Sequence, residues 1–421
     1  MINFENSLIP GFHRVRQTFD SAAVADVNKE VKNGISPYAD RFKPGAKIGI
    51  AVGSRGIYQY AKIVKAVVET VIEAGANPFL VPAMGSHGGA TAEGQIQVLD
   101  GYGITEETMG APILSSMETV IVGETSQGMP VHFDKNASEL DGVIMVNRIK
   151  PHTDFKGIIE SGICKQMVIG LGKHKGAINV HRHGAYGLKT IIPEAAGIII
   201  ENAPIIMGVA VIENAYDRTA KIEILPSEEI LSREPALLEE AKSLMPSLPF
   251  EKIDVLLLQE MGKNVSGSGL DPNIIGRFLI RGVEDQLPDI YRVVVMDLTE
   301  ESHGNAIGTG FADIITKKLY DKIDFSATYI NCCTSGFLER GFIPLVMDSD
   351  KEALDLALNC CNRYLTKEDA RVAFVKNTLD ISELVVSDAL LEELLARGDY
   401  IEDLGEVNLE WDGETLVKLF P

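Results

Sequence analysis

Short, continuously apolar runs that end in glycine and give way to segments of helical period most constrain this chain. KIGIAV (Lys47–Val52) ends at Gly53, and Ile63, Val64, Ala66, Val67, Val71 and Ile72 then follow at helical spacing until Gly75. PFLVPAM (Pro78–Met84) repeats the run, GSHGG follows it directly, and Thr91 is the expected N-cap of a helix ending before Gly101. Thr119–Val122 and Asp141–Val146 read as further strands, residues 188–202 as an apolar helix, and 205–213 as a central strand. Runs without polar alternation suit strands buried on both faces, and their alternation with helices predicts an α/β fold with mostly parallel sheets.

At 421 residues the chain is too long for one typical domain. The acidic, proline-broken stretch Pro226–Pro249 marks the expected boundary. A second series follows: strands at Ile253–Leu258, Arg292–Met296 and Val372–Lys376, with helices near Asn305–Leu319, Lys351–Leu365 and Ala389–Arg397. The expected division is therefore residues 1–250, residues 251–400, and a tail, 401–421. A hairpin at Asp412–Gly413 shapes that tail, whose expected course is a return to the N-terminal domain.

Sixty acidic against 39 basic residues give a net charge of −21, which repels phosphate backbones and anionic membranes. Neither nucleic acid nor a membrane is the expected partner. A small anionic substrate is compatible, because Lys150, Lys156, Lys165, Lys173 and Lys175 concentrate positive charge in one stretch. No apolar run has the length of a membrane span, and the N-terminus lacks a signal-peptide pattern. The five cysteines, Cys164 and the vicinal pairs Cys332–Cys333 and Cys360–Cys361, form neither a disulfide framework nor a CxxC metal pattern. A cytoplasmic protein with reduced thiols is expected.

The basic stretch also holds His152, His174, His181 and His183, half of the eight histidines. Imidazoles trade protons near neutral pH and bind transition metals. In parallel α/β sheets, ligands bind beyond the carboxyl ends of strands, where GSRG (Gly53–Gly56), GSHGG (Gly85–Gly89), NRIKPH (Asn147–His152) and the Gln259–Arg277 segment fall. His87 and His152 on neighbouring strand ends can flank one substrate. GSRG lacks the second half of a dinucleotide fingerprint, and KNVSGSG lacks the GKS/T of a phosphate-binding P-loop. His13, His132 and His303 stand alone and read as surface or structural residues.

GSHGG after a strand, then PH, then SGxxK (Ser161–Lys165), then His181 sixteen positions beyond that lysine, resembles the LarA-like lactate racemase family of nickel-pincer racemases and epimerases. The resemblance implies two α/β domains with the active site in the cleft between them. It also implies a nickel-pincer nucleotide derived from nicotinic acid mononucleotide. By resemblance His181 is the nickel ligand, with His183 the other choice, and Lys165 is the lysine able to join the cofactor. His87 and His152 correspond to the acid/base pair, Arg55 to a phosphate-binding arginine, and Gln259 with Lys263 to second-domain contacts.

The implied reaction inverts C2 of a 2-hydroxy acid by proton-coupled hydride transfer. This avoids direct removal of a weakly acidic C2 hydrogen and calls for a base on each side of the substrate. The family's lactate-specific enzymes carry an aspartate three residues before the arginine, where this chain has Val52, and the NVSGSG loop is rich in hydroxyls. A sugar acid such as an aldonate is therefore favoured over lactate or another short 2-hydroxy acid. Two other classes use the same residues differently: a noncatalytic nucleotide- or carboxylate-binding protein, and a zinc hydrolase built on His174, His181 and His183. The hydrolase lacks HExxH-type spacing.

Overall fold

The computed structural model describes residues 8–361, 363, 365–398 and 400–421. The chain divides into two compact units, Asp20–Met245 and Met1–Phe19 together with Pro246–Pro421. The first strand, Phe12–Gln17 (β1), belongs to the second of these.

In the first unit the strands are Lys47–Val52 (β2), Asn77–Pro82 (β3), Thr119–Glu124 (β4), Pro130–Asp134 (β5), Gly142–Arg148 (β6), Ile205–Glu213 (β7) and Thr219–Pro226 (β8). Five of them form a sheet in the order β3-β2-β6-β7-β8, parallel except for the edge strand β8. The apolar runs are continuous because both faces are covered. Val143 and Met145 enter one core with Phe133, Phe155, Ile192 and Leu238, while Ile144 and Val146 enter the other with Ile63, Val67 and Val71. Each such side chain, fully buried, contributes about 1.5–3 kcal/mol. Thr91 caps the helix Ala92–Asp100 by accepting from the Gly94 N–H at 3.0 Å.

Two features of this unit go beyond what the strand runs and the boundary stretch mark, although the unit does end inside that stretch, at Met245. β4 does not enter the main sheet but pairs with β5 in a separate ribbon. The stretch expected as a proline-broken boundary contains the helix Ile230–Leu244, with Pro235 inside it. Its Ile230, Glu234, Leu237, Leu238 and Ala241 form a buried stripe, so packing outweighs the proline penalty.

The second unit has an eight-stranded sheet. Lys252–Leu258 (β9), Asp289–Val295 (β10), Ile314–Thr316 (β11), Leu345–Met347 (β12) and Val372–Val375 (β13) run parallel. Glu383–Ser387 (β14), β1 and Ile401–Val407 (β15) complete it with antiparallel pairings. β1 and β15, far apart in the linear order, are thus neighbours here: Phe12 pairs with Val407. Trp411–Asp412 (β16) and Thr415–Leu416 (β17) make the hairpin around Asp412–Gly413.

The helix expected at Asn305–Leu319 is replaced by a turn at Thr309–Phe311, by β11, and by the short helix Lys317–Tyr320. Gly308, with φ +107°, interrupts any helical path. The expected Lys351–Leu365 helix runs Asp350–Asn359; its last residues include Asn362 and Tyr364, outside the described residues. No helix among the described residues is long and apolar enough to cross a membrane.

Candidate active site

β2, β3 and β6 are parallel and adjacent, so their carboxyl ends deliver Arg55, His87 and His152 to the same edge of the sheet. The GSHGG loop packs closely on the next helix, where a Cβ at Gly94 would collide with the Gly88 carbonyl. After β6, Lys150 and Ser161 exchange backbone hydrogen bonds at 3.0 and 3.2 Å and close the loop that carries His152. Glu160, buried, accepts the His152 N–H at 2.6 Å, and Phe155 packs against the imidazole with ring centroids 4.7 Å apart. Gln166 donates to Ala51 O at 3.3 Å and Val146 O at 3.1 Å, tying the Lys165 segment to the ends of β2 and β6.

His152 Nε2 lies 2.5 Å from Lys165 Nζ. The other ring nitrogen, Nδ1, accepts the Asp154 N–H at 2.9 Å, so a neutral ring carries its proton on Nε2. That proton faces Lys165, which accepts it only as a neutral amine. Burial pushes Lys165 down to about 8; Arg55 and Lys150 add to the shift and Asp154 opposes it. His152 is held well below the usual imidazole range by burial and by Lys165.

His87 has the opposite tautomer. Its Nδ1 lies 2.9 Å from the Met84 carbonyl, which can only accept, so the proton sits on Nδ1 and Nε2 keeps its lone pair. Partial burial lowers its pKa, and Arg55 and Lys165 lower it further. The edge therefore presents one imidazole ready to take a proton and one holding a proton at Nε2.

His181 ends the helix Lys173–His181 and is exposed, although its surroundings desolvate the ring enough to lower its pKa, with Lys165 adding to the effect. Neither His181 nor the exposed Arg55 has a hydrogen-bonding or ionic partner among the described residues. His183 stands at the start of the helix Gly184–Asn202. No group of three or more His, Cys, Asp or Glu side chains is placed to hold an ion among the described residues. The His181 imidazole, without a partner among the described residues, is the kind of donor that a metal brought by an organic ligand would use.

The basic run does not act as one cluster. Lys150 and Lys165 face His152, and Lys156 donates to the His152 carbonyl at 3.2 Å and lies 3.4 Å from Glu160. Lys173 is wholly buried against Asp134 and Lys175 is exposed. Two of the three isolated histidines have partners: His13 with Asp403 at 3.2 Å and His132 with Thr119 at 3.1 Å. Asp154 and Glu160 were not singled out from the sequence, although their spacing of two and eight residues from His152 keeps them within its loop.

In the second unit, Gln259 follows β9 and commits both ends of its amide to the tail. Nε2 donates to Phe420 O at 3.1 Å, and Oε1 accepts the N–H groups of Leu419 and Phe420, each at 3.0 Å. Lys263 Nζ donates to Gly267 O at 2.5 Å and Asn331 Oδ1 at 3.0 Å.

This parallel α/β edge brings together two imidazoles of opposed tautomer, a lysine of lowered pKa and an arginine without a partner among the described residues, groups able to exchange protons with a bound anion. Residues 17–189, which carry Arg55, His87, His152, Lys165 and His181, match the lactate racemase N-terminal domain. The lactate racemase apoprotein from Thermoanaerobacterium thermosaccharolyticum has a similar fold. Its TM-score is 0.53 at 11% identity, covering 90% of this chain and 96% of that one. At that identity the likeness is one of fold. No curated protein matches.

Proposed function

We propose that this protein inverts C2 of a 2-hydroxy acid with the help of a nickel-pincer nucleotide. The observation that carries the reading is the 2.5 Å contact between His152 Nε2 and Lys165 Nζ, at an edge that also bears His87 and Arg55, the latter without a partner among the described residues. His87 Nε2 takes the substrate hydroxyl proton for one enantiomer, and His152 returns a proton from the opposite side; the roles reverse for the other enantiomer. His181 supplies the imidazole for the metal, Lys165 contacts the cofactor as a nucleophilic amine, and Arg55 holds its phosphate. When bound, the cofactor supplies the redox half of the chemistry by exchanging hydride with C2.

By the resemblance, Lys263 and Gln259 of the second unit are further cofactor or substrate contacts, and each also bonds within its own unit, Lys263 to Asn331 and Gln259 to Leu419. The favoured substrate is a sugar acid such as an aldonate. Asn264, Ser266, Ser268, Thr299 and Ser302 supply the type of side chain that pairs with additional hydroxyls.

The test is mass spectrometry with metal analysis of the protein made alongside cofactor-synthesis enzymes. Nickel together with a sulfur-bearing pyridinium nucleotide, and inversion of a 2-hydroxy or sugar acid, would support the reading. Zinc or no metal, without an adduct under conditions that load a known racemase, would remove it.

A further inference from the structure

Lys173 lies among the basic residues of the histidine-rich stretch but has a different environment from its neighbours. Its side chain and that of Asp134 have no exposed area, and Nζ is 3.0 Å from Asp134 Oδ2. Nζ also donates to Pro82 O at 2.5 Å and to Gln95 Oε1 at 3.2 Å. Four stretches of chain meet at this ammonium: the end of β3, the helix Ala92–Asp100, the end of β5, and the start of the helix that finishes at His181. Gln95, fully buried, passes the connection on by donating to Gly85 O at 3.0 Å and His87 O at 3.4 Å.

The backbone supports a fixed arrangement. Lys173 has φ +53°, a conformation that a non-glycine residue keeps only where its surroundings over-determine it. Gly85 N–H donates to Gly170 O at 3.0 Å, a second link between the His87 loop and the segment leading to this helix. Burial pushes Lys173 down and Asp134 up, and their mutual attraction opposes both shifts.

We propose that Lys173 is a positioning residue that registers the His87 loop against the His181 helix, with Gln95 as the relay and Asp134 as the balancing charge. The meaning of that registry rests on the racemase reading, but the geometry does not. A buried ion pair can often be replaced by apolar groups of similar size without loss of the fold, so the post can be removed while the scaffold stays.

The test is Lys173→Met with Asp134→Leu in the full chain. It compares melting temperature, the titration of the His87 imidazole by NMR on carbon-labelled histidine, and kcat and KM of the cofactor-loaded protein. His87→Gln assigns the resonance. A folded double variant is expected to shift the His87 titration by about half a unit or more. Its kcat should fall about tenfold or more, with a smaller change in KM. A folded variant with His87 titration and kcat unchanged would overturn the proposal. If the double variant does not fold, Gln95→Met, which leaves the ion pair in place, decides by the same readouts and the same two outcomes. A shifted His87 titration in a chain that converts no 2-hydroxy acid would leave the positioning role standing and remove the racemase reading.

Discussion

The two units each place polar residues at the carboxyl ends of parallel strands, but they use them differently. In Asp20–Met245, Arg55 and His181 have no partner among the described residues, and Lys165 is a desolvated amine pressed against His152. In the second unit the corresponding strand ends carry groups bonded to one another. Gln259 holds Leu419 and Phe420, Lys263 holds Gly267 and Asn331, and Thr299 pairs with Asn264 and Ser302. Desolvated titratable groups and uncommitted donors point to chemistry, whereas satisfied ones point first to structure.

The sharpest way to break this contrast is to remove the imidazoles. His87→Ala and His152→Ala should each lower kcat by about 10²–10⁴-fold in the loaded protein, because a positioned acid or base contributes on that scale. A loss below tenfold in both would show that the edge is not the reacting one. Lys263→Ala should matter less, with a loss of up to about tenfold in kcat/KM, since its charge already serves its own loop; steady-state kinetics on the same substrate gives the comparison.

A third measurement sharpens the comparison through pH. Lys165 titrates near 8 in the fold against 10.5 for an ordinary lysine. Its folded pKa is lowered, so below pH 8 the fold bears the cost of a charged buried amine. That cost is relieved as pH rises from about 8 toward 10.5. Urea midpoints of the native chain should therefore rise relative to Lys165→Met across that window, and labelling of Lys165 by an amine-selective reagent should half-saturate near pH 8. Labelling that follows an ordinary lysine would contradict the account. The smallest effect on turnover should come from Gln259→Ala, which should cost about 1–3 kcal/mol of stability in denaturant unfolding through lost tail contacts. A large fall in kcat without destabilisation would mark Gln259 as a direct ligand contact.

Much of the first unit was legible because its strands are buried on both faces and its turns are rich in glycine. The histidine loops could be placed from the strand ends alone. Four features escaped. β1 and β15 are edge-region strands whose partners lie some 390 residues away, as in the Phe12–Val407 pairing, and no local pattern encodes that. Pro235 concealed a helix whose packing face outweighed it. Lys173 could not be separated from Lys165 by composition, because only the surrounding Pro82, Gln95 and Asp134 distinguish a buried post from a reacting amine. Likewise, the opposed tautomers of His87 and His152 depend on which backbone group each Nδ1 meets.

The most direct test of inversion by two histidines around one carbon is to incubate the cofactor-loaded protein with single enantiomers and epimers of 2-hydroxy and sugar acids in heavy water. The account predicts inversion at C2 with the original hydrogen retained, abolished to near background in His152→Ala. No inversion, or product with deuterium at C2, would contradict it.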